Sequence, residues 1–291
     1  MFNDSENGTC AAVGSFDSMH AGHMAVGRQT ALAAAERGLK PLIVSCPKKG
    51  MVMNTEEEKI FLFGQLGIER FVKRPLPEGY DEWYRFMKDE LIGRLGVRAV
   101  AAGECNCDLD AIRRAAGELG IELIEVETQR FEGKKITDAM VLEALNAGDL
   151  QRVKELCGHP YILSGVVMHG KGLGRTVGMP TANLSRGAFK ILPPEGVYVT
   201  AVHLGDELFR GVTNIGNRPS VDDVDRVTIE TNILDFLRDI YGCTLVVEVH
   251  SFIRGVHKFD GLAAVQRQVS RDIEVVREVL KDMECSDGYI V

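Results

Sequence analysis

Three things are missing from this 291-residue sequence: long apolar runs, an excess of positive charge, and any ordered spacing of cysteines. No stretch approaches the roughly 18 apolar residues that a membrane span needs. The opening residues, Met1-Phe2-Asn3-Asp4-Ser5-Glu6, have neither the basic start nor the apolar core of a secretory signal. Neither a membrane partner nor a signal peptide is expected. A net charge of −8 disfavours broad electrostatic attraction to nucleic acid. The seven cysteines are odd in number and scattered, which suits free thiols in a reducing, cytoplasmic setting. Cys105 and Cys107 stand closer together than the pairs of a zinc knuckle, and no second pair complements them. Repeats and low-complexity tracts are absent too. A hydrophobic fraction of 45% with 26% charged residues excludes disordered and fibrous classes.

What is present divides into two patterns. In the first 150 or so residues, apolar runs at Thr9–Phe16, Pro41–Cys46, Arg70–Lys73, Val97–Ala102 and Ile121–Glu127 alternate with helical patterns. The helices are expected over His23–Arg37, Glu56–Leu66, Asp81–Leu95 and Asp108–Leu119. Strands alternating with helices of this length imply βαβ units and a parallel sheet. Two short helices flank Gly148-Asp149, and after His159-Pro160 the pattern changes. Short β-like runs follow at Tyr161–Met168, Val197–His203, Leu208–Asn214, Val227–Leu234 and Thr244–Phe252, separated by Gly, Pro and Asn. That spacing predicts a small antiparallel barrel, covered by an amphipathic helix over Leu262–Met283. The chain is long enough for each domain to bury its own core, and the boundary is expected between residues 8–157 and 158–284.

The segment Gly165 to Leu184 carries most of the chemistry. Gly165, Gly170, Gly172, Gly174 and Gly178 leave a loop backbone uncovered, and Lys171 and Arg175 add positive charge, a combination suited to phosphate oxygens. It is not a Walker loop, because Gly172 stands where a hydroxyl residue is required, and Pro180 prevents a helix from opening behind it. Alone it reads equally well as a glycine-rich turn. In the extended segment Pro180-Thr181-Ala182-Asn183, Thr181 and Asn183 project to one face and offer hard oxygens of the kind Mg²⁺ takes. In Val227 to Phe236, Ile229, Thr231 and Ile233 alternate with Glu230, Asn232 and Leu234. A carboxylate among so much apolar surface suits a general base for a hydroxyl nucleophile, although an exposed strand glutamate reads the same in isolation.

These pieces, with Gly196-Val197-Tyr198, Asn214 to Pro219, Tyr241-Gly242, Phe252-Ile253-Arg254 and Lys258-Phe259 in this order, resemble the riboflavin kinase domain of bacterial flavin-synthesising enzymes. The resemblance runs from about Tyr161 to Leu280 and rests most on Pro-Thr-Ala-Asn. It implies a six-stranded barrel with a C-terminal helix, acting on riboflavin with MgATP. It further implies that Thr181 and Asn183 hold the metal–nucleotide, that Glu230 is the catalytic base, and that Gly170, Gly172, Gly174 and Arg175 cover phosphates. Arg254 is then a flavin contact. Asn232 and Val256 depart from the family pattern, which commonly has histidine and an acidic residue there.

Ala12 to His23 closes the first strand and opens the first helix, whose amides form an anion site. His20 and His23 stand one turn apart beside Phe16, placed either to donate to phosphates or simply to cap the helix. The segment, with Lys59 and Gly148-Asp149, resembles the FMN adenylyltransferase domain that usually precedes this kinase, and implies a Rossmann-like nucleotidyltransferase fold. The family's second signature, Ile-Ser-Ser-Thr-x-Ile-Arg, falls on Ile136-Thr137-Asp138-Ala139-Met140-Val141-Leu142. Asp138 and Ala139 replace hydroxyl residues there, and Leu142 replaces the arginine. Ser18 replaces a glycine, and Gly103-Glu104-Cys105-Asn106 replaces Gly-Glu-Asp-Phe.

Three functions accommodate these readings. One is a riboflavin kinase whose front domain is a scaffold or regulatory nucleotide pocket; another is a fully bifunctional enzyme making FMN and then FAD. The third is a non-catalytic flavin or nucleotide sensor. Intact Thr181, Asn183 and Glu230 favour an enzyme, because a sensor has no need of a base.

Overall fold

The computed structural model describes residues 8–169, 180–185, 187, 189–218, 226–257, 259 and 261–286. Short apolar runs in the first half form strands β1 (Thr9–Gly14), β2 (Lys40–Ser45), β3 (Arg70–Lys73), β4 (Val97–Gly103) and β5 (Glu122–Val126). They pair in parallel in the order β3-β2-β1-β4-β5. The order reverses between β1 and β4, so a crevice opens at the carboxyl ends of those two strands, where open α/β sheets bind ligands.

Helices α1 (Ala21–Arg37), α2 (Glu56–Gly64), α3 (Gly79–Arg85) and α4 (Leu109–Leu119) connect the strands. The central strands are covered on both faces, which is why their sequences are nearly continuous apolar runs. Trp83, Met87, Leu91, Ile112 and Ala115 pack with Ala11, Leu42 and Val100, while Ala33 and Ala34 of α1 pack with Cys10 and Ala99. The single helix expected over Asp81–Leu95 is instead α3 followed by π-helical turns at Phe86–Ile92. Steps of four residues drift off the face of an α-helix, and the wider turn keeps Trp83, Met87 and Leu91 together in the core. β1 also stops two residues early, at Gly14, because Phe16 and Met19 take left-handed φ values of 47° and 49° as the chain bends toward α1.

Two compact units result. One holds residues up to 141 with 156–158, and the other holds 142–155 and everything from 159 onward. Helices α5 (Asp138–Asn146) and α6 (Leu150–Cys157) lie along this division of the chain.

The second unit is a closed barrel of β8 (Tyr161–Met168), β9 (Ala182–Leu184), β10 (Gly196–Leu204), β11 (Glu207–Arg218), β12 (Arg226–Ile233) and β13 (Thr244–Arg254), in the order β10-β11-β12-β9-β8-β13. (A two-strand ribbon in the first unit, Arg130–Phe131 with Lys134–Lys135, supplies β6 and β7.) Every neighbouring pair in the barrel is antiparallel, and closure leaves no open edge. Helix α7 (Leu262–Val279) brings Val276, with Leu280 just beyond it, onto Val197, Val199 and Ala201 of β10 and Val212 of β11. A chain of buried hydroxyls, Thr200–Thr213–Thr231 with 2.9 Å between successive oxygens, ties β10, β11 and β12 together. β9 is held by close backbone approach. A Cβ on Gly165 of β8 would come within 2.1 Å of the Ser185 carbonyl oxygen, so only glycine permits the contact.

Candidate functional sites

The barrel register builds one site. Glu230 on β12 stands directly opposite Asn183 of β9 on one side and Asn214 of β11 on the other. Directly opposed residues share a sheet face, so Asn183, Glu230 and Asn214 form one polar row across three strands. Ile229, Thr231 and Ile233 are buried on the opposite face, as the alternation predicts. Glu230 is half-buried, and the Thr228 hydroxyl donates to its Oε1 at 3.4 Å.

The Pro-Thr-Ala-Asn segment is fixed from two directions. Asn183 Nδ2 donates to the Thr181 carbonyl at 3.4 Å, and Asn232 Nδ2 donates to the Pro180 carbonyl at 2.8 Å. Asn232, a departure from the family pattern, thus ties this segment to β12. With the Asn183 amide nitrogen on a carbonyl, its oxygen is the end suited to a cation, and Thr181 adds a hydroxyl. Two neutral oxygens fit Mg²⁺, which takes few ligands from protein and completes its shell with water and phosphate. Asn214, which opens the Asn214 to Pro219 segment but carried no assigned role, joins this row; its register opposite Glu230 depends on the β11–β12 pairing. Gly170, Gly172, Gly174 and Arg175 lie outside the described residues.

Arg254 has a different setting. Its guanidinium makes hydrogen bonds of 2.8 to 3.1 Å to both carboxylate oxygens of Asp272 on α7, with Gln268 also on Asp272 at 2.9 Å. The Phe259 ring lies 5.5 Å from the guanidinium carbon. This pair fastens β13 to α7.

The first unit holds a second site, a cavity of about 360 Å³ at the carboxyl ends of β1 and β4, lined among others by Phe16, His20, His23, Cys105, Thr137 and Asp138. The loop after β1 is held rigidly. Asp17 accepts from the Met53 amide at 3.1 Å, and buried Lys59 donates to the Ser15 carbonyl and to Glu56, both at 2.7 Å. His20 caps α1, its Nδ1 accepting from the His23 amide at 3.2 Å, and the two imidazoles stack with centroids 3.8 Å apart. Phe16 meets His23 edge-on at 5.6 Å.

Asp138 faces the same cavity. Its Oδ1 accepts from the Ser18 hydroxyl and its Oδ2 from Lys48 Nζ, each at 2.7 Å, and Lys48 lies 3.7 Å from Asp17. Ser18 and Asp138, two departures from the family pattern that are 120 residues apart, are therefore bonded to each other. Burial disfavours ionisation of Asp138, but the bonds from Lys48 and Ser18 outweigh it and hold the carboxyl at about 2. Burial, with His20 stacked alongside, pushes the His23 imidazole down to about 3; burial lowers His20 as well. Both rings are neutral at physiological pH. Thr137 takes an ordinary cap position, its hydroxyl accepting from the Met140 amide at 3.4 Å. Lys48 escaped the motif reading because its pairing with Asp138 spans 90 residues.

All seven cysteines are free. Cys105 sits at the cavity edge with its sulfur 2.8 Å from the Thr128 hydroxyl, a bond that lowers its pKa. Among the described residues no helix is long and apolar enough to cross a membrane.

A family model described as FAD synthetase matches residues 2–140, and one described as riboflavin kinase matches residues 157–280. The bifunctional riboflavin kinase/FMN adenylyltransferase of Bacillus subtilis is 30% identical over 90% of this chain and 89% of its own. The Escherichia coli K12 protein of the same name is 30% identical over 94% of this chain and 93% of its own. The solved structure of the macrolide-efflux protein from Streptococcus pneumoniae is 25% identical with a TM-score of 0.72, covering 94% of this chain and 95% of that one. Each unit of the fold thus has its own match, and the relatives share both in the same order: the chain belongs to the bifunctional riboflavin kinase/FMN adenylyltransferase family.

Proposed function

We propose that the chain phosphorylates riboflavin with MgATP to give FMN, through a kinase domain spanning residues 158–284 behind a nucleotidyltransferase-like domain of residues 8–157. The observation that carries this reading is the register of Glu230 against Asn183. It sets a carboxylate beside the Pro-Thr-Ala-Asn oxygens, as transfer from a metal-bound triphosphate to a hydroxyl requires. Glu230 takes the proton of the riboflavin 5′-hydroxyl as that oxygen bonds to the γ-phosphorus. The bond from the γ-phosphorus to the β,γ-bridging oxygen breaks, and ADP leaves with it. Thr181 and Asn183 hold Mg²⁺, which when bound with ATP neutralises charge on the β- and γ-phosphates. The glycines at 170, 172 and 174, with Arg175, cover those phosphates, and Arg254 contacts the flavin while anchored on Asp272. Free thiols throughout suit a cytoplasmic enzyme.

For the first unit, we propose that adenylyl transfer to FMN is lost or greatly reduced. That reaction builds negative charge on the α-phosphate and departing pyrophosphate. Leu142 brings no charge, and Asp138 turns a carboxylate toward the cavity and pairs with Lys48. The relatives' bifunctional name and the FAD synthetase match favour a second reading, in which Lys48, Lys134 or Lys135 supplies the missing cation. Incubation of the purified chain with riboflavin and MgATP, followed by chromatography, separates these readings. FMN with little or no FAD is expected. FAD at a rate comparable to FMN would refute the loss, and no FMN would refute the kinase.

A further inference from the structure

We propose that His20, His23 and Asp138 bind a divalent transition-metal ion in the first unit, whether or not FMN is adenylylated there. One nitrogen from each imidazole and one Asp138 oxygen lie within 4.8 Å of one another, and all three residues are half-buried. A metal with bonds of about 2.1 Å separates its ligand atoms by roughly 3 to 3.5 Å, so small side-chain rotations complete the site.

Four features point to a ligand rather than to chance proximity. First, His23 Nδ1 is buried and has no hydrogen-bond partner, an arrangement that costs free energy unless something occupies it. Second, the His20 and His23 rings stack with centroids 3.8 Å apart and both line the cavity, which brings two imidazoles to one wall of it. Third, Asp138 is oriented by Ser18 and Lys48, one donor on each oxygen, as outer partners orient a ligating carboxylate, and each oxygen keeps a second lone pair. Fourth, the ligands line a cavity of about 360 Å³, leaving coordination positions for water or an anionic oxygen. Asp17, 3.7 Å from Lys48, offsets part of the repulsion between that ammonium and a bound cation.

The donor set selects the metal. Two imidazoles with one carboxylate suit Zn²⁺, Co²⁺ and neighbouring first-row ions, whereas Mg²⁺ prefers a shell of oxygens. Binding also has a structural consequence. A neutral imidazole has one lone pair, and that of His20 caps α1, so ligation by His20 releases the His23 amide.

The test uses the full chain stripped with chelator and titrated with Co²⁺, followed by its visible spectrum and by calorimetry. One Co²⁺ per chain is expected at this site, displaced by Zn²⁺ but not by a large excess of Mg²⁺. His23→Ala and Asp138→Ser should each weaken binding by about 100-fold or more, and Ser18→Ala by about tenfold. Circular dichroism checks that each variant is folded, and Asp138→Ser restores a hydroxyl of the kind the family carries, so it serves if His23→Ala fails. Changing Cys105 and Cys107 together to Ser should leave binding as it was. Absence of stoichiometric binding by the wild type, unchanged binding by folded Asp138→Ser, or loss confined to the cysteine variant would each overturn the site. FMN and FAD formation, measured separately, does not bear on the outcome.

Discussion

The ion pair between Arg254 and Asp272 gives the sharpest test of how the barrel is held to its helix. Asp272 is 1% exposed and Arg254 18%, and three hydrogen bonds of 2.8 to 3.1 Å join them. Asp272→Asn leaves a largely buried guanidinium without its counter-charge, which commonly costs about 3–5 kcal/mol. For a domain of this size each kcal/mol moves Tm by roughly 3–5 °C, so a fall of roughly 10–20 °C is expected. Replacing both residues by apolar ones of similar length, Arg254→Met with Asp272→Leu, removes two desolvated charges together and should recover most of the loss. Thermal unfolding of Arg254→Met, Asp272→Leu and the double variant, followed by circular dichroism alongside Asp272→Asn, gives the coupling energy. A loss below about 1 kcal/mol for Asp272→Asn would refute the reasoning, since that is the scale of a solvated surface pair. The same variants address the flavin. If Arg254 contacts riboflavin as well as α7, the double variant regains stability yet keeps a raised KM for riboflavin. Recovery of both together would make Arg254 a strut alone.

Glu230→Gln should leave ATP binding nearly intact and lower kcat by about a hundredfold or more, the scale of lost general-base catalysis; near wild-type turnover would remove it from that role. Asn183→Ala should raise the Mg²⁺ requirement and weaken MgATP binding while sparing riboflavin affinity, as equilibrium binding of each ligand would show. Glu248 supplies the pH dependence. Burial works against its ionised form, but bonds from His203 and His250 at 2.9 and 3.1 Å outweigh it and bring the carboxyl from 4.5 to about 2. A carboxyl depressed by folding stabilises the native state fully above its unfolded value, so this contribution should fade as pH falls from 4.5 toward 2. Glu248→Gln should flatten that acid limb in Tm measured against pH, and an unchanged limb would count against the cluster.

The fold was legible because its two halves obey different periodicities. Alternating strands and helices of ten or more residues leave little besides a parallel sheet, and β8 and β10 to β13 carry turn residues at spacings an antiparallel barrel needs; the three-residue β9 reads only as an extended segment. The π-helical turns at Phe86–Ile92 were not legible, since Trp83, Met87 and Leu91 at steps of four also satisfy an α-helix. In the barrel site, the alternation around Glu230 gave its face, but its neighbour Asn214 follows from register, which a strand's own sequence does not contain. In the first unit, His20 is readable as a cap because capping is local. The convergence of Ser18, Lys48 and Asp138 was not, because the three come from separate connections around the sheet and meet only when it folds.

That convergence bears on what became of the front pocket. A site released from selection should lose residues independently, and substitutions at distant positions have no reason to find each other. Ser18 and Asp138 do find each other, at hydrogen-bond distance, and Lys48 closes the other side of the carboxylate. The loop that presents His20 and His23 is still clamped by buried Lys59 on the Ser15 carbonyl and by Asp17 on the Met53 amide. Holding Phe16 and Met19 at left-handed φ carries a conformational penalty that a mere connector would avoid. Rigid backbone, an oriented carboxylate and an orphaned imidazole nitrogen are what a ligand site retains when its ligand has changed. They are poorly explained as the remains of a triphosphate pocket, because the carboxylate at Asp138 faces the cavity with the charge of the phosphates themselves. A cation there reverses that sign. It also gives the strained loop something to hold, which a vacated phosphate site would not.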